Sequence, residues 1–416
     1  MKTLKDKLYK LLLWSERYTK TDMLYLAKGG FWLMFGQIIV TTSGLILAIG
    51  FANLLPKDVY GNYKFILSLA GIIGAFTLTG MGTAVTRAVA QGYDGMLRLG
   101  FWTSLKWSIL IFIAGLACSI YYFLNENITI AVSMLIAGSF SPFLLSFTLY
   151  SSFLHGKKDF KQDAIFNITR NIIPVTSLIT ALFFTKNPIL LILIYFSSHT
   201  ITAGLLYLKT LHKYNPSNEI DAGTINYGKH LSVMNVLGVV AMNIDKVLVF
   251  HYLGAVELAI YAFATVIPEQ IKTSIKTVGS LAFPKFSQKT SSEIKETIVH
   301  KTIKLGLLIT AIVIIYILIA PFIYKILFPQ YIESIFYSQL LAISLIAGSA
   351  ILPITALQSQ AEKDKLYKIN VYTSIFQIII LFILINLYGL IGVIVARIMT
   401  RILSLGLSIS LIKRTY

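Results

Sequence analysis

Asp245, Lys246, Glu269 and Lys272 stand inside apolar sequence that runs Met242-Asn-Ile-Asp-Lys-Val-Leu-Val-Phe-His-Tyr-Leu-Gly254 and, after a short polar turn, Tyr261-Ala-Phe-Ala-Thr-Val-Ile-Pro-Glu-Gln-Ile-Lys-Thr-Ser-Ile-Lys276. Read as two antiparallel membrane helices joined between Gly254 and Glu257, with a rise of about 1.5 Å per residue, the stretch puts Asp245 roughly 13 Å and Glu269 roughly 18 Å from the turn, near mid-membrane. A charge at that depth costs at least ~2.5–3.5 kcal/mol on insertion scales, so such groups face a partner or a wet cavity and mark a transport path. Their chemistry is the holding and passing of ions or of a charged solute.

Glu269, Lys272 and Lys276 are spaced by three and four and form one stripe along a helix, of alternating sign, as suits a water-filled vestibule. Pro268 predicts a kink beside them. Asp245 and Lys246 point about 100° apart. A purely structural alternative pairs Asp245 with Lys272 and Lys246 with Glu269 across helices. Arg397 and Arg401 repeat the i, i+4 spacing on the last helix, with Arg397 near mid-depth; Arg401, and Arg170 in the fifth span, are expected to snorkel to the interface.

These residues need helices to carry them, and composition supplies the type. With 56% hydrophobic and 13% charged residues and a mean hydropathy of +0.75, the 416-residue chain has the composition of an all-α polytopic membrane protein. The net charge of +18 does not point to nucleic acid, because the cations recur as short groups between apolar spans rather than on one face or arm. The single cysteine, Cys118, lies in an apolar run and excludes an intrachain disulfide. The six histidines are scattered without metal spacing, so neither metal nor cofactor is expected. Gly80-Met81-Gly82 lacks the third glycine and the preceding strand of a nucleotide loop and reads as helix packing or bending.

Apolar runs recur at about 30–54, 64–84, 100–123, 129–153, 163–184, 188–208, 231–253, 258–283, 302–327, 336–358, 369–386 and 389–411, each near the ~20 residues that cross a bilayer. Counting loops alternately, nearly all loop Lys and Arg fall on the side of the N-terminus, and only Lys57, Lys64, Lys186 and Lys325 fall opposite, which predicts cytoplasmic termini. Residues 1–28, rich in lysine with Leu4, Leu8, Leu11 and Leu12 on one helical face, predict an amphipathic helix on the cytoplasmic leaflet rather than a signal peptide. The expected division is an N-lobe over 29–208, a cytoplasmic linker over 209–230, a C-lobe over 231–412 and a short tail over 413–416. The loops expected outside are very short, so no extramembrane domain is available for a soluble active site.

Leu55-Pro56-Lys57-Asp58-Val59-Tyr60-Gly61-Asn62-Tyr63 matches Leu253-Gly254-Ala255-Val256-Glu257-Leu258-Ala259-Ile260-Tyr261, and His155-Gly156-Lys157-Lys158-Asp159 matches Gln360-Ala361-Glu362-Lys363-Asp364. Two motifs repeating in the same order predict two six-helix halves of like orientation, related by an axis along the membrane normal.

The pattern resembles the polysaccharide flippases, the Wzx-like lipid-linked oligosaccharide translocases of the MOP superfamily. It does so through Leu55-Pro56-x-x-x-Tyr60-Gly61-x-Tyr63, Gly80-Met81-Gly82 with Arg87 following, Asn243-x-Asp245-Lys246 and Phe328-Pro329-Gln330-Tyr331, over about residues 28 to 412. The resemblance implies no enzyme and no cofactor. It implies a monomeric transporter in the bacterial cytoplasmic membrane that moves an undecaprenyl-pyrophosphate-linked oligosaccharide to the outer leaflet by alternating access, for O-antigen or capsule synthesis. Membrane lipids and the polymerase and chain-length proteins would be its other partners. The cationic cavity expected of the family falls here on Lys246, Lys272, Arg397, Arg87 and Arg170, with Asp245 and Glu269 balancing charge or carrying a coupling ion.

Two further readings stay open. A multidrug exporter of the same superfamily would bind cations through acids, yet mid-span cations outnumber acids here. A membrane glycosyltransferase or polymerase acting on lipid-linked sugars would need a sizeable outer loop, and the loops are short.

Overall fold

A computed structural model describes residues 23–413 apart from 288–289 and 361. The amphipathic helix expected over 1–28 lies outside these residues except where the first helix begins, as does the tail beyond 413.

The first half contains α1 (Met23–Leu54), α2 (Lys57–Gly74), α3 (Met81–Ala90), α4 (Met96–Trp107), α5 (Ile109–Leu124), α6 (Ile128–Phe147), α7 (Leu149–Gly156), α8 (Phe160–Phe184) and α9 (Pro188–Tyr214). The second contains α10 (Ala222–Leu253), α11 (Ala255–Ser287), α12 (Ser291–Leu327), α13 (Ser334–Ile343), α14 (Ile351–Ser359) and α15 (Lys363–Lys413). Among the described residues nine segments are long and apolar enough to cross a membrane. One of them, α15, is two helices, because Gly389 takes φ +54° and ψ −133°, a reversal that only glycine adopts without strain. The broken pair α2/α3 and the charge-bearing α11 complete the twelve spans.

Helix starts follow the side chains that can cap them. Asn127 accepts from the Ile130 amide (3.1 Å), Asp159 from Gln162 (3.0 Å) and Asn187 from Ile189 (2.9 Å), the last with Pro188 at the first helical position. Thr290 and Glu293 form a reciprocal capping box at α12. The expected single spans over 64–84 and 336–358 are interrupted. Residues 75–80 leave the helix between α2 and α3, and Ser344–Ala350 tightens to a 3₁₀ turn between α13 and α14. The segment expected as a 209–230 linker is mostly helix, since α9 runs to Tyr214 and α10 starts at Ala222.

The halves meet along α2, α10 and α11. At the end carrying the Leu55–Pro56 and Gly254 turns, an aromatic cluster joins Phe51, Tyr60 and Tyr63 of the first half to Phe263, Phe328 and Tyr331 of the second, with centroids across the seam 4.7 Å apart for Tyr60–Phe263 and 6.4 Å for Tyr60–Tyr331. The residues of the first and last resemblance motifs therefore touch. Gly61 lets α2 close on α11, because a Cβ there would run into the Ala255 carbonyl. Polar ties across the same seam are Asn53 Nδ2 to the Leu327 carbonyl (3.1 Å) and Lys57 Nζ to Glu333 Oε2 (3.2 Å).

Candidate functional site

One polar cluster sits in the second half, halfway along its helices. α10 brings Asp245 and Lys246, α11 brings Tyr261, Glu269 and Lys272, and the second limb of α15 brings Arg397 and Arg401. The helical period puts Glu269 and Lys272 on one face and Arg397 and Arg401 on one face, so the two stripes meet.

Asp245 is wholly buried and is held by Arg397 Nη2 at 2.9 Å and by the Tyr261 hydroxyl at 2.5 Å. Its other oxygen, Oδ1, lacks a hydrogen bond and has Lys246 Nζ at 3.8 Å. Lys246 curls back to donate to the Met242 carbonyl at 3.2 Å. Glu269, with a side chain 35% exposed, receives three cations: Arg397 Nη1 at 3.2 Å and Arg401 Nη2 at 2.6 Å on Oε1, and Lys272 Nζ at 2.9 Å on Oε2. Arg401 also donates to Ser344 Oγ at 2.6 Å, tying the cluster to the 3₁₀ turn.

Four cations thus surround two carboxylates beside a cavity of about 280 Å³, and Lys276 joins its lining with Lys272, Arg397, Arg401, Ser344, Thr373 and Gln377. That volume lies near the lower end of small-molecule sites and suits a headgroup rather than a whole oligosaccharide. An excess of positive charge in a low-dielectric cleft attracts an anion more strongly than the same charges in water.

The pairing differs from the structural alternative. Asp245 pairs with Arg397 and Glu269 with Lys272, because α15 inserts its two arginines between α10 and α11. Arg401 does not snorkel; Glu269 and Ser344 hold it at the cavity. The signal was present, since Arg401 shares Arg397's face one turn on. Tyr261 carried no such signal, being one aromatic in an aromatic-rich run.

Arg87 and Arg170 lie elsewhere. Arg87 is exposed at the end of α3 with its guanidinium 5.1 Å from the Tyr227 ring centre. Arg170 is half-buried in α8 beside Tyr150, Tyr195 and His199, and its Nε lacks a hydrogen-bond partner. Among the described residues no group of three or more His, Cys, Asp or Glu is placed to hold a metal ion.

Residues 26–290 match the family described as polysaccharide biosynthesis protein. The chain belongs to that family. A candidate O-antigen transporter of Shigella flexneri is 21% identical over 397 residues, covering 88% of this chain and 92% of that protein. Among solved structures, an inward-facing multidrug-resistance MATE transporter of the MOP superfamily superposes with a TM-score of 0.70 at 14% identity, covering 90% of this chain and 96% of that one. The lipid II flippase MurJ in an inward closed conformation gives 0.65 at 12% identity, over 92% of this chain and 87% of that one. At such identities the superpositions establish the fold, that of the MOP superfamily, and this member of the polysaccharide biosynthesis family builds its charged cavity within it.

Proposed function

We propose that the chain is a flippase that carries an undecaprenyl-pyrophosphate-linked oligosaccharide from the cytoplasmic to the outer leaflet of the bacterial inner membrane, for O-antigen or another surface polysaccharide. The carrying observation is the cluster around Glu269, where four cations exceed two carboxylates at mid-span beside a headgroup-sized cavity. A pyrophosphate needs several cations, and such charges are costly in lipid unless a wet cleft and an anionic cargo use them. Family membership and the S. flexneri relative support the pathway.

In this reading Lys246, Lys272 and Arg397 hold the pyrophosphate, with Arg170 and Arg87 as outlying cations along the way. The two six-helix lobes, residues 29–208 and 231–412, rock against each other, and the aromatic seam at Tyr60, Phe263 and Tyr331 is the closed outer gate. The multidrug reading fits less well, because cationic drugs would meet an excess of like charge.

Lys272 is the position to test, because Arg397 also supports buried Asp245. Lys272→Ala should abolish complementation of a flippase-null strain while reaching the membrane at normal level, and Lys272→Arg should keep part of the activity. Full activity of a Lys246→Ala, Lys272→Ala double variant would sink the cargo reading. Orientation is checked separately: a cysteine at Asn127 in a Cys118→Ser background should label from outside with an impermeant thiol reagent, and labelling at Ser217 instead would invert it.

A further inference from the structure

The two carboxylates of the cluster are held in different ways. Asp245 is fully enclosed, and Tyr261 and Arg397 fix it to the helix packing. Glu269 lies behind the cations that line the cavity, its side chain 35% exposed, with no hydroxyl or backbone donor on its carboxylate among the contacts described, only Lys272, Arg397 and Arg401. Its two oxygens collect two guanidinium groups and one ammonium from two helices, a donor set suited to a phosphoryl group as much as to a carboxylate.

We propose that Glu269 is an internal stand-in anion. It occupies Arg397, Arg401 and Lys272 while the cavity is empty, and the phosphoryl oxygens of the cargo displace it. Arg401 thereby becomes a cargo-contacting residue, with Ser344 aiming its guanidinium from behind. The inference rests on the flippase reading and deepens it.

Displacement is feasible without dismantling the site. Arg397 keeps Asp245 at 2.9 Å when Glu269 leaves, so the guanidinium stays placed, and the 35% exposed side chain of Glu269 has a free side to turn towards. The device has a use in transport. A site that binds a pyrophosphate with all its cations free would hold the cargo too tightly to release it, whereas a resident carboxylate competes for the same donors and restores the empty state. Binding is then an exchange, and its strength is the difference between two sets of charge-assisted hydrogen bonds.

The experiment titrates undecaprenyl pyrophosphate, with undecaprenyl alcohol as control, onto the purified full-length protein in lipid nanodiscs. Glu269→Gln should bind undecaprenyl pyrophosphate at least about tenfold more tightly than wild type, since one competing set of charged hydrogen bonds is gone. The same variant should fail to complement a flippase-null strain, and Arg401→Ala should weaken binding about tenfold or more. Glu269→Asp, which withdraws the carboxylate by one methylene, should bind with intermediate affinity and covers the case in which the glutamine variant does not fold. Equal or weaker binding in whichever of the two folds overturns the stand-in role; failure of both to fold also overturns it, by making Glu269 a structural ion. If wild type prefers undecaprenyl pyrophosphate no more than the alcohol, the cargo reading falls instead.

Discussion

Carrying the shift of 198 between Leu55–Tyr63 and Leu253–Tyr261 down the two helices sets Gly71 and Gly74 of the first half opposite Glu269 and Lys272 of the second. The chemistry at these paired positions differs. On the glycine side α2 approaches α10 closely, with Asn243 Nδ2 only 3.1 Å from where a Cβ of Gly71 would lie. On the charged side α11 is held off by a carboxylate and its three cations, and a cavity opens. The first half keeps a single half-buried arginine, Arg170, among aromatic rings. Both halves bury charge, Asp163 with His155 in the first, but in the second the charges gather beside a cavity, and that costly cluster is where a cargo would be held.

The largest effect expected from this asymmetry is on folding. Asp245→Ala leaves buried Arg397 with only the part-exposed Glu269 as counterion, and since removing one partner of a buried pair costs about 3–5 kcal/mol, the loss should be about 3 kcal/mol. Leu47→Ala, at the matching position of the first half, removes only part-buried apolar surface and should cost about 1–2 kcal/mol. Thermal unfolding in nanodiscs measures both, and an Asp245→Ala loss no larger than the Leu47→Ala loss would break the contrast.

Next comes the seam that the halves share. Gly61→Ala drives a methyl into the Ala255 carbonyl where α2 and α11 touch, so the helices must separate, at about 1–3 kcal/mol by analogy with overpacked cores. The expected readout is a leaky seam: cysteines at Tyr60 or Phe263 should become accessible to impermeant reagents in the Gly61→Ala background and stay closed without it. Equal protection in both would show that the seam does not depend on that approach. Arg170→Gln is milder. Its neighbours are rings, so the protein should reach normal levels and transport should fall several-fold, roughly 1 kcal/mol, against the full loss expected at Lys272. A complete loss would place the arginine in the main binding site.

The fold was legible because its causes are one-dimensional. Twenty-residue apolar runs, short loops with capping residues and two repeated motifs are all written along the chain, and so are Asp245, Glu269 and the arginine pair as charges that lipid would not accept. The partnerships were not legible. Whether Asp245 meets Lys272 or Arg397 depends on how α15 rotates against α10 and α11, and nothing in the spacing along one helix sets that angle. The tightening at 344–350 was hidden too, since an apolar run reads alike whether its backbone is α-helical or 3₁₀, whereas Gly80-Met81-Gly82 did mark bending beside the break at 75–80. Arg401 was misplaced for a related reason. Distance from the helix end argued for snorkelling, while a partner on another helix kept the side chain inside.

The smallest expected effect is also the sharpest test of the asymmetry. A Cβ on Gly74 would meet only Leu145 Cδ1, at 3.9 Å, so Gly74→Ala has room and trades a flexible helical glycine for a better helix former. It should be neutral or stabilise by up to about 1 kcal/mol, with transport unchanged. Because that position tolerates a side chain, it can also receive the charge that its counterpart carries. Gly74→Lys in a Lys272→Ala background gives the first half the cation that the second half has lost, at the matching point of the repeat. If the halves were interchangeable walls around one cargo, complementation would return. Continued loss of transport is the expected result, because the new ammonium would lack Glu269, Arg397 and Arg401 to share the anion with, and recovery would show that the cavity counts charges rather than positions.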